Sequence, residues 1–159
     1  MTLRVGLGYD VHRVKAGRAL VLGGVRFESD WGLEGHSDAD VLAHAVGDAV
    51  LGAAGLGDLG EHFPPGDPRW KDASSLDLLA RIAALLAERG ARVANVDAML
   101  VAEAPRLAPH RAAMCANIAT ALGISPERVS VKATTNETLG AIGRGEGLAA
   151  MAVALVERP

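Results

Sequence analysis

Aromatic side chains are nearly missing from this sequence: two tryptophans, two phenylalanines and one tyrosine make up 3% of 159 residues. The core must then be assembled from Ala, Leu and Val, whose small side chains let backbones approach closely. Cysteine is reduced to Cys115 alone. A single cysteine excludes an intrachain disulfide and any cysteine-rich zinc site, and it agrees with a reducing cytosol. Cys115 falls in an Ala-rich helical pattern, where a buried inert thiol is the expectation. Long runs of Lys or Arg are absent too, and the formal net charge is -3. That leaves no electrostatic footprint for nucleic acid or an anionic membrane. An anionic ligand must then be held by local devices: a metal, a helix N-terminus or single basic residues. No apolar run nears the roughly 20 residues of a membrane span. The opening Met-Thr-Leu-Arg-Val has no basic head and apolar signal core, so a soluble cytoplasmic protein is expected.

What the chain does have is apolar content, half of its residues, and a length that suits one domain over 1–159. Residues 3–13 read as a strand and Arg18–Glu28, with Gly23-Gly24 inside it, as a second extended segment, joined by a turn at Lys15-Ala16-Gly17. Ser37-Asp38-Ala39-Asp40 has the sequence form of a capping box. It predicts a helix from about Asp38 to Ala54 with Leu42, Ala45, Val46, Ala49, Val50 and Ala53 facing inward. Gly57–Asp72 is too rich in Gly and Pro for regular structure, and a connection of that length suggests a lid or binding loop. Ser74-Ser75 caps a helix to about Arg89, Val93–Val101 reads as a strand, Arg106–Leu122 as a helix and Val129–Ala133 as a strand. A turn or short helix is expected within 134–147. Leu148–Val156 is apolar on both alternating faces and must be covered on both. Helices can cover one face, and subunit association is expected to cover the other. The expected fold is α/β (α+β), with a four-stranded main sheet packed by helices on one face.

Asp10 and His12, two apart on a strand, point to one face and offer an oxygen and a nitrogen to the same point. A metal chelate is one reading; an Asp that fixes the tautomer of a half-buried His is the other. His44, on the first predicted helix, is placed to complete three ligands, unless it is a satisfied core histidine. Asp48, one turn further, is placed to accept its other ring hydrogen. Two His and one carboxylate would leave a coordination position open, which points to catalysis rather than bracing. His36, ahead of that helix, should tend to stay neutral and can donate to an oxygen-rich ligand together with Ser37, which also reads as a plain N-cap. Thr134, Thr135, Asn136 and Glu137 follow a strand end, where α/β folds place ligand groups. Hydroxyls suit phosphate oxygens, and Glu137 suits a hard cation or simply solvent. Arg144 can pair with Glu146 or bind an anion, and His62 and His110 read as surface or structural.

Gly8-Tyr-Asp-Val-His-Arg13, Gly35-His-Ser-Asp-Ala-Asp-Val-Leu-Ala-His44, Gly57-Asp-Leu-Gly60, Lys132-Ala-Thr-Thr-Asn-Glu137 and Gly143-Arg-Gly-Glu-Gly147 occur in this order. Together they resemble the 2-C-methyl-D-erythritol 2,4-cyclodiphosphate synthase family of the non-mevalonate isoprenoid pathway, across essentially the whole chain. The resemblance implies a homotrimer of α/β subunits with active sites between neighbours. It implies zinc on Asp10, His12 and His44, and magnesium or manganese on Glu137 with the substrate diphosphate. His36 and Ser37 would meet the methylerythritol phosphate part; Asp58, Gly60, Phe63 and Asp67 the sugar and erythritol portions. Ala102, Arg106, Leu107 and Ala108 would line the cytosine pocket, with Thr134 and Thr135 on phosphate. Arg144, with Glu146, would belong to a ring near the trimer axis that takes isoprenoid diphosphates. Where the family loop commonly reads Phe-Pro-Asp-Thr-Asp, this chain has Phe63-Pro-Pro-Gly-Asp67, so an acidic group is missing at Pro65. The implied reaction turns 4-diphosphocytidyl-2-C-methyl-D-erythritol 2-phosphate into the cyclic diphosphate and CMP.

Overall fold

Two glycines decide how the main sheet and its central helix meet. In the computed structural model, which describes all 159 residues, β1 (Thr2–Ala16) runs beneath α1 (Val41–Ala54). A Cβ on Gly8 would lie 1.9 Å from the Ala45 carbonyl oxygen, and one on Gly6 would lie 2.0 Å from that of Ala49. Only bare backbone fits there, so the helix settles directly on the strand with its alanines against the glycines. The same face of β1 continues to Asp10 and His12. The close approach therefore brings the first turns of α1, with His44, over those two side chains.

The remaining elements extend this layer. β2 (Leu20–Leu22) and β3 (Val25–Phe27) form a separate small hairpin through Gly23-Gly24, and β4 (Trp31–Leu33) pairs with the end of β1. After α1 come a one-turn α2 (Leu59–His62) and a 3-10 turn at Pro68–Trp70, both inside the predicted loop. The chain continues through α3 (Ser75–Ala87), β5 (Arg92–Val101), α4 (Arg111–Leu122), β6 (Val129–Thr134), the four-residue α5 (Gly140–Gly143) and β7 (Gly147–Arg158). The main sheet runs β4-β1-β7-β5-β6, with β5 and β6 parallel and its other pairs antiparallel.

The sheet is thus five-stranded, where four strands were expected. The extra strand is only Trp31-Gly32-Leu33, too short to show alternation amid glycine and acidic neighbours. α1 begins at Val41 rather than Asp38, and its cap is Asp40, not Ser37. The fully buried Asp40 carboxylate accepts from Ala43 N–H (3.0 Å) and from Gly23 and Gly24 N–H (2.9 and 2.8 Å), tying the hairpin to the helix start. Burial and the nearby Asp38 charge push its carboxyl up to about 6, while those three donors pull the other way. α4 starts at Arg111 instead of Arg106, after a 3-10 turn at Ala108–His110 that contains Pro109. Cys115 is half-buried against the core rather than enclosed.

Helices cover one face only. On β7, Ala150, Ala152, Ala154 and Val156 are buried, whereas Met151 and Val153 point the other way and are exposed. They pair across the sheet with Tyr9 and Leu7. Leu3, Val5, Leu7, Tyr9 and Val11 lie 48 to 71% exposed on that bare face. A contiguous exposed apolar surface is uncommon on monomeric proteins. No helix is long and apolar enough to cross a membrane.

Candidate active site

Asp10, His12 and His44 converge. The Asp10 Oδ2 atom lies 2.8 Å from His12 Nε2 and 3.1 Å from His44 Nδ1, and the two imidazole nitrogens are 3.3 Å apart. Each ring is held from behind. His12 Nδ1–H donates to the Glu34 carbonyl oxygen at 2.6 Å, and His44 Nε2 meets Ser75 Oγ at 2.8 Å and Ser37 Oγ at 3.1 Å. With their far nitrogens engaged, both rings present their near nitrogens to one point beside a carboxylate oxygen. Burial alone would push the Asp10 carboxyl up, but the hydrogen bonds and charges of His12 and His44 outweigh it and hold it at about 2. Burial likewise pushes His12 down, and its bond to Asp10 outweighs that, raising it above its ordinary 6.5. Three donor atoms, two imidazole and one carboxylate, within 4.8 Å of one another fit a divalent cation such as zinc with a position left open.

The triad opens into a cavity of about 330 Å³ that also takes in His36, Ser37, Asp48, Gly60, Phe63, Pro65 and Trp70. Several of the expected site residues also make contacts within the chain. Asp48 does not reach His44; its Oδ1 accepts from Leu59 N–H at 2.8 Å and holds the start of α2, and burial raises its carboxyl. The partner of His44 is Ser75 instead. Ser75 lies 31 residues away and had the look of a helix cap. His36 Nε2–H donates to the Asp67 carbonyl oxygen at 2.9 Å. His36 thereby ties the loop to the cavity that it also lines. The Asp67 carboxylate is taken by Arg69, at 2.6 Å from Nη2, which holds it below the usual carboxylate range, and it does not line the cavity. Asp58 caps α2 by accepting from Glu61 N–H at 3.0 Å. His62 donates to the Leu56 carbonyl oxygen at 2.7 Å, and His110 packs edge-on against Phe27, both structural as expected.

The second expected group sits elsewhere. Ala102, Arg106, Leu107 and Ala108 follow the end of β5, and Thr134 ends β6, its carbonyl accepting from Ala102 N–H at 3.0 Å. Thr135, Asn136 and Glu137 form an exposed turn beyond it. Register places His12 opposite Leu148, and Val101 opposite both Ala149 and Thr134. Between His12 and Thr134 lie β7 and β5, so three inter-strand steps separate them, about 14 Å. None of these residues lines the triad cavity. Glu137 and Thr138 both have left-handed backbone, φ 53° and 62°. Glu103, which the sequence did not single out, steadies that turn: its Oε1 accepts from Asn136 N–H (3.2 Å) and Thr138 N–H (3.0 Å). Arg144 Nε donates to Glu146 Oε1 at 2.8 Å, and both are exposed.

The YgbB family profile matches residues 3–157. The chain belongs to the YgbB family. The 2-C-methyl-D-erythritol 2,4-cyclodiphosphate synthase of Symbiobacterium thermophilum is 60% identical over 152 residues, covering 96% of this chain and 97% of that enzyme. The bifunctional enzyme IspD/IspF of Anaeromyxobacter dehalogenans is 64% identical over 153 residues, and this chain spans 39% of its length. The solved IspF of Plasmodium falciparum, a CDP complex, superposes with a TM-score of 0.85 at 32% identity, over 98% of this chain and 96% of that one. Cyclodiphosphate synthesis in the isoprenoid pathway is accordingly the activity of this YgbB-family chain.

Proposed function

We propose that the chain converts 4-diphosphocytidyl-2-C-methyl-D-erythritol 2-phosphate into the cyclic diphosphate and CMP by intramolecular phosphoryl transfer, at sites shared between neighbouring subunits of a homotrimer. The triad carries this reading: two imidazole nitrogens and a carboxylate oxygen aimed at one point, open to a cavity, on a protein of net charge -3. An acidic chain holds a polyanion only through local positive charge. Zinc on Asp10, His12 and His44, and magnesium or manganese on Glu137, would supply that charge and a coordination position for phosphate oxygens.

The chain's own residues do the positioning. The attacking 2-phosphate already carries negative charge, so the reaction asks mainly for alignment and charge neutralisation. Ser37, only 8% exposed, offers a hydroxyl in the triad cavity, while Gly60 and Phe63 form its loop side. Arg18 braces the floor by donating to the Gly35 and Ser37 carbonyl oxygens, both at 2.8 Å. His36 holds Asp67 and with it the loop across the opening. Thr134, Thr135 and Glu137 would meet the diphosphate, and Ala102, Arg106, Leu107 and Ala108 the cytosine. Support for a cytidine diphosphate ligand comes from the CDP-bound relative.

The two groups stand about 14 Å apart in one chain, more than a diphosphate spans, which favours joining the triad of one subunit to the turn of the next. The bare apolar face supports the same assembly, since burial against copies of itself would shield Leu3 to Val11 from water. Arg144, exposed beside Glu146, would bind an isoprenoid diphosphate near the trimer axis.

Incubation with the cytidyl substrate, with and without chelator, followed by mass analysis, tests the reading. CMP and the cyclic product should form in equal amounts and vanish with chelator. Inorganic phosphate or an open-chain product would instead indicate hydrolysis by activated water. A monomer in sedimentation at assay concentration would remove the shared-site part.

A further inference from the structure

We propose that Ser75 and Asp38 form a positioning relay that decides which nitrogen of His44 faces the metal; the inference rests on the zinc reading above. Ser75 opens α3 and is 1% exposed. Its hydroxyl oxygen lies 2.8 Å from His44 Nε2 and in hydrogen-bond contact with Asp38 Oδ1, and its backbone N–H donates to Asp38 Oδ2 at 2.9 Å. Asp38 Oδ1 also accepts from Asp40 N–H at 3.1 Å. A carboxylate that receives two backbone donors is in its acceptor form and has no proton to give. The proton between Ser75 and Asp38 is therefore the serine's own. Serine has only one, so toward His44 its oxygen acts as acceptor, and the imidazole proton is drawn to Nε2.

That assignment bears on the metal. With Nε2 protonated, His44 Nδ1 keeps its lone pair, and Nδ1 is the atom 3.1 Å from Asp10 Oδ2 and 3.3 Å from His12 Nε2. The opposite tautomer would set a proton where the ion must bind. The charge on Asp38, passed through the serine hydroxyl, also makes the ring a stronger donor to a cation. A second consequence concerns Ser37. Its oxygen is 3.1 Å from the same Nε2 and accepts from Ala39 N–H at 3.3 Å. Since Ser75 takes the ring proton at shorter range, the Ser37 hydroxyl proton remains available to the cavity. His12 has no comparable relay; its Nδ1–H goes directly to the Glu34 carbonyl.

The test titrates the oligomer with zinc alone against a chelator of known affinity, for the parent, Ser75→Ala, Asp38→Asn, the double variant and His44→Ala. Ser75→Ala and Asp38→Asn should each weaken zinc by roughly 10- to 100-fold, the range for outer partners of metal ligands. The double variant should lose no more than the worse single one, because both act through one chain of bonds. In the zinc-loaded parent, the His44 Nε2–H proton should appear as a downfield, slowly exchanging resonance that moves upfield and exchanges faster in Ser75→Ala. Loss of packing alone would not produce that signature. Zinc affinity within twofold of the parent in both single variants, or an unmoved His44 resonance, overturns the relay. His44→Ala separates the two claims: retained zinc binding there overturns the metal site itself, whereas its loss with Ser75→Ala unchanged overturns only the relay.

Discussion

The two chemically equipped regions of the sheet are held in opposite ways. The triad is enclosed: the Asp10, His12 and His44 side chains are 25, 18 and 14% exposed, and each ring has a partner behind it. The Thr135–Thr138 turn is open to solvent, with two consecutive non-glycine residues in left-handed backbone, and one carboxylate, Glu103, receives the Asn136 and Thr138 N–H groups. One region is preorganised by its own chain. The other is kept in a costly shape of the kind that persists where surroundings over-determine it. A site completed between subunits, as proposed above, would explain the difference, since the exposed half would take its surroundings from a neighbour and the enclosed half from its own chain.

The largest expected effect breaks the enclosed side. His44→Ala should abolish zinc binding and lower turnover by more than about 10³-fold, beyond the loss of a single hydrogen-bond donor. Circular dichroism should show the fold retained; turnover near the parent's with an empty site would contradict the assignment. Gly8→Ala reaches the same side through the backbone. A Cβ there meets the Ala45 carbonyl oxygen at 1.9 Å, so α1 must shift from β1 and take His44 away from Asp10. A loss of about 3 kcal/mol is expected, or roughly 10 °C in thermal midpoint, together with weaker zinc binding. An unchanged midpoint would show that the close approach does not set the triad.

The pH dependence separates the metal-free triad from the loaded one. His12 is raised above 6.5, so its bond to Asp10 adds stability that is full below 6.5 and is lost as pH rises through the raised value. Asp10 sits at about 2, so its share is present above 3.8 and is lost as pH falls through 2. The metal-free pair is therefore firmest between about 4 and 6.5. Zinc held by the triad would have to displace the His12 proton, so its affinity is expected to run the other way, falling by about tenfold per pH unit below the His12 value. Chelator competition from pH 5 to 8 measures this; a flat profile would mean that no proton leaves His12.

Legibility followed residue chemistry: Asp and His announce themselves as ligand types, whereas a serine and a backbone carbonyl do not. Asp10 and His12 share a strand face by simple alternation, and His44 stands on a helix whose small residues already asked for close packing, so the triad was readable. Its supports were not. Ser75 and Glu34 reach the rings because α3 and the end of β4 fold back on them, and neither a serine at a helix start nor a backbone carbonyl carries a sequence signal for that contact. Asp48 lay at the right helical spacing from His44, yet α2 took its oxygen. The capping signal was ambiguous because Ser37, Asp38 and Asp40 all suit a cap, and the hairpin glycines settled it for Asp40. The bare face was legible in the doubly apolar Leu148–Val156, because a strand's burial requirement is written in every residue.

The smallest expected effect probes the open side. Glu103→Ala removes the acceptor for Asn136 and Thr138 N–H. Those groups are exposed and water can replace the carboxylate, so the thermal midpoint should fall by no more than about 2 to 4 °C. The consequence should appear at Glu137, whose orientation depends on a turn with positive φ at Glu137 and Thr138. A severalfold higher magnesium requirement is expected with zinc affinity unchanged, because the triad lies three strand spacings away, about 14 Å. If Glu103→Ala weakened zinc as much as magnesium, the two regions would be one coupled unit within the chain, and their contrast would need another cause.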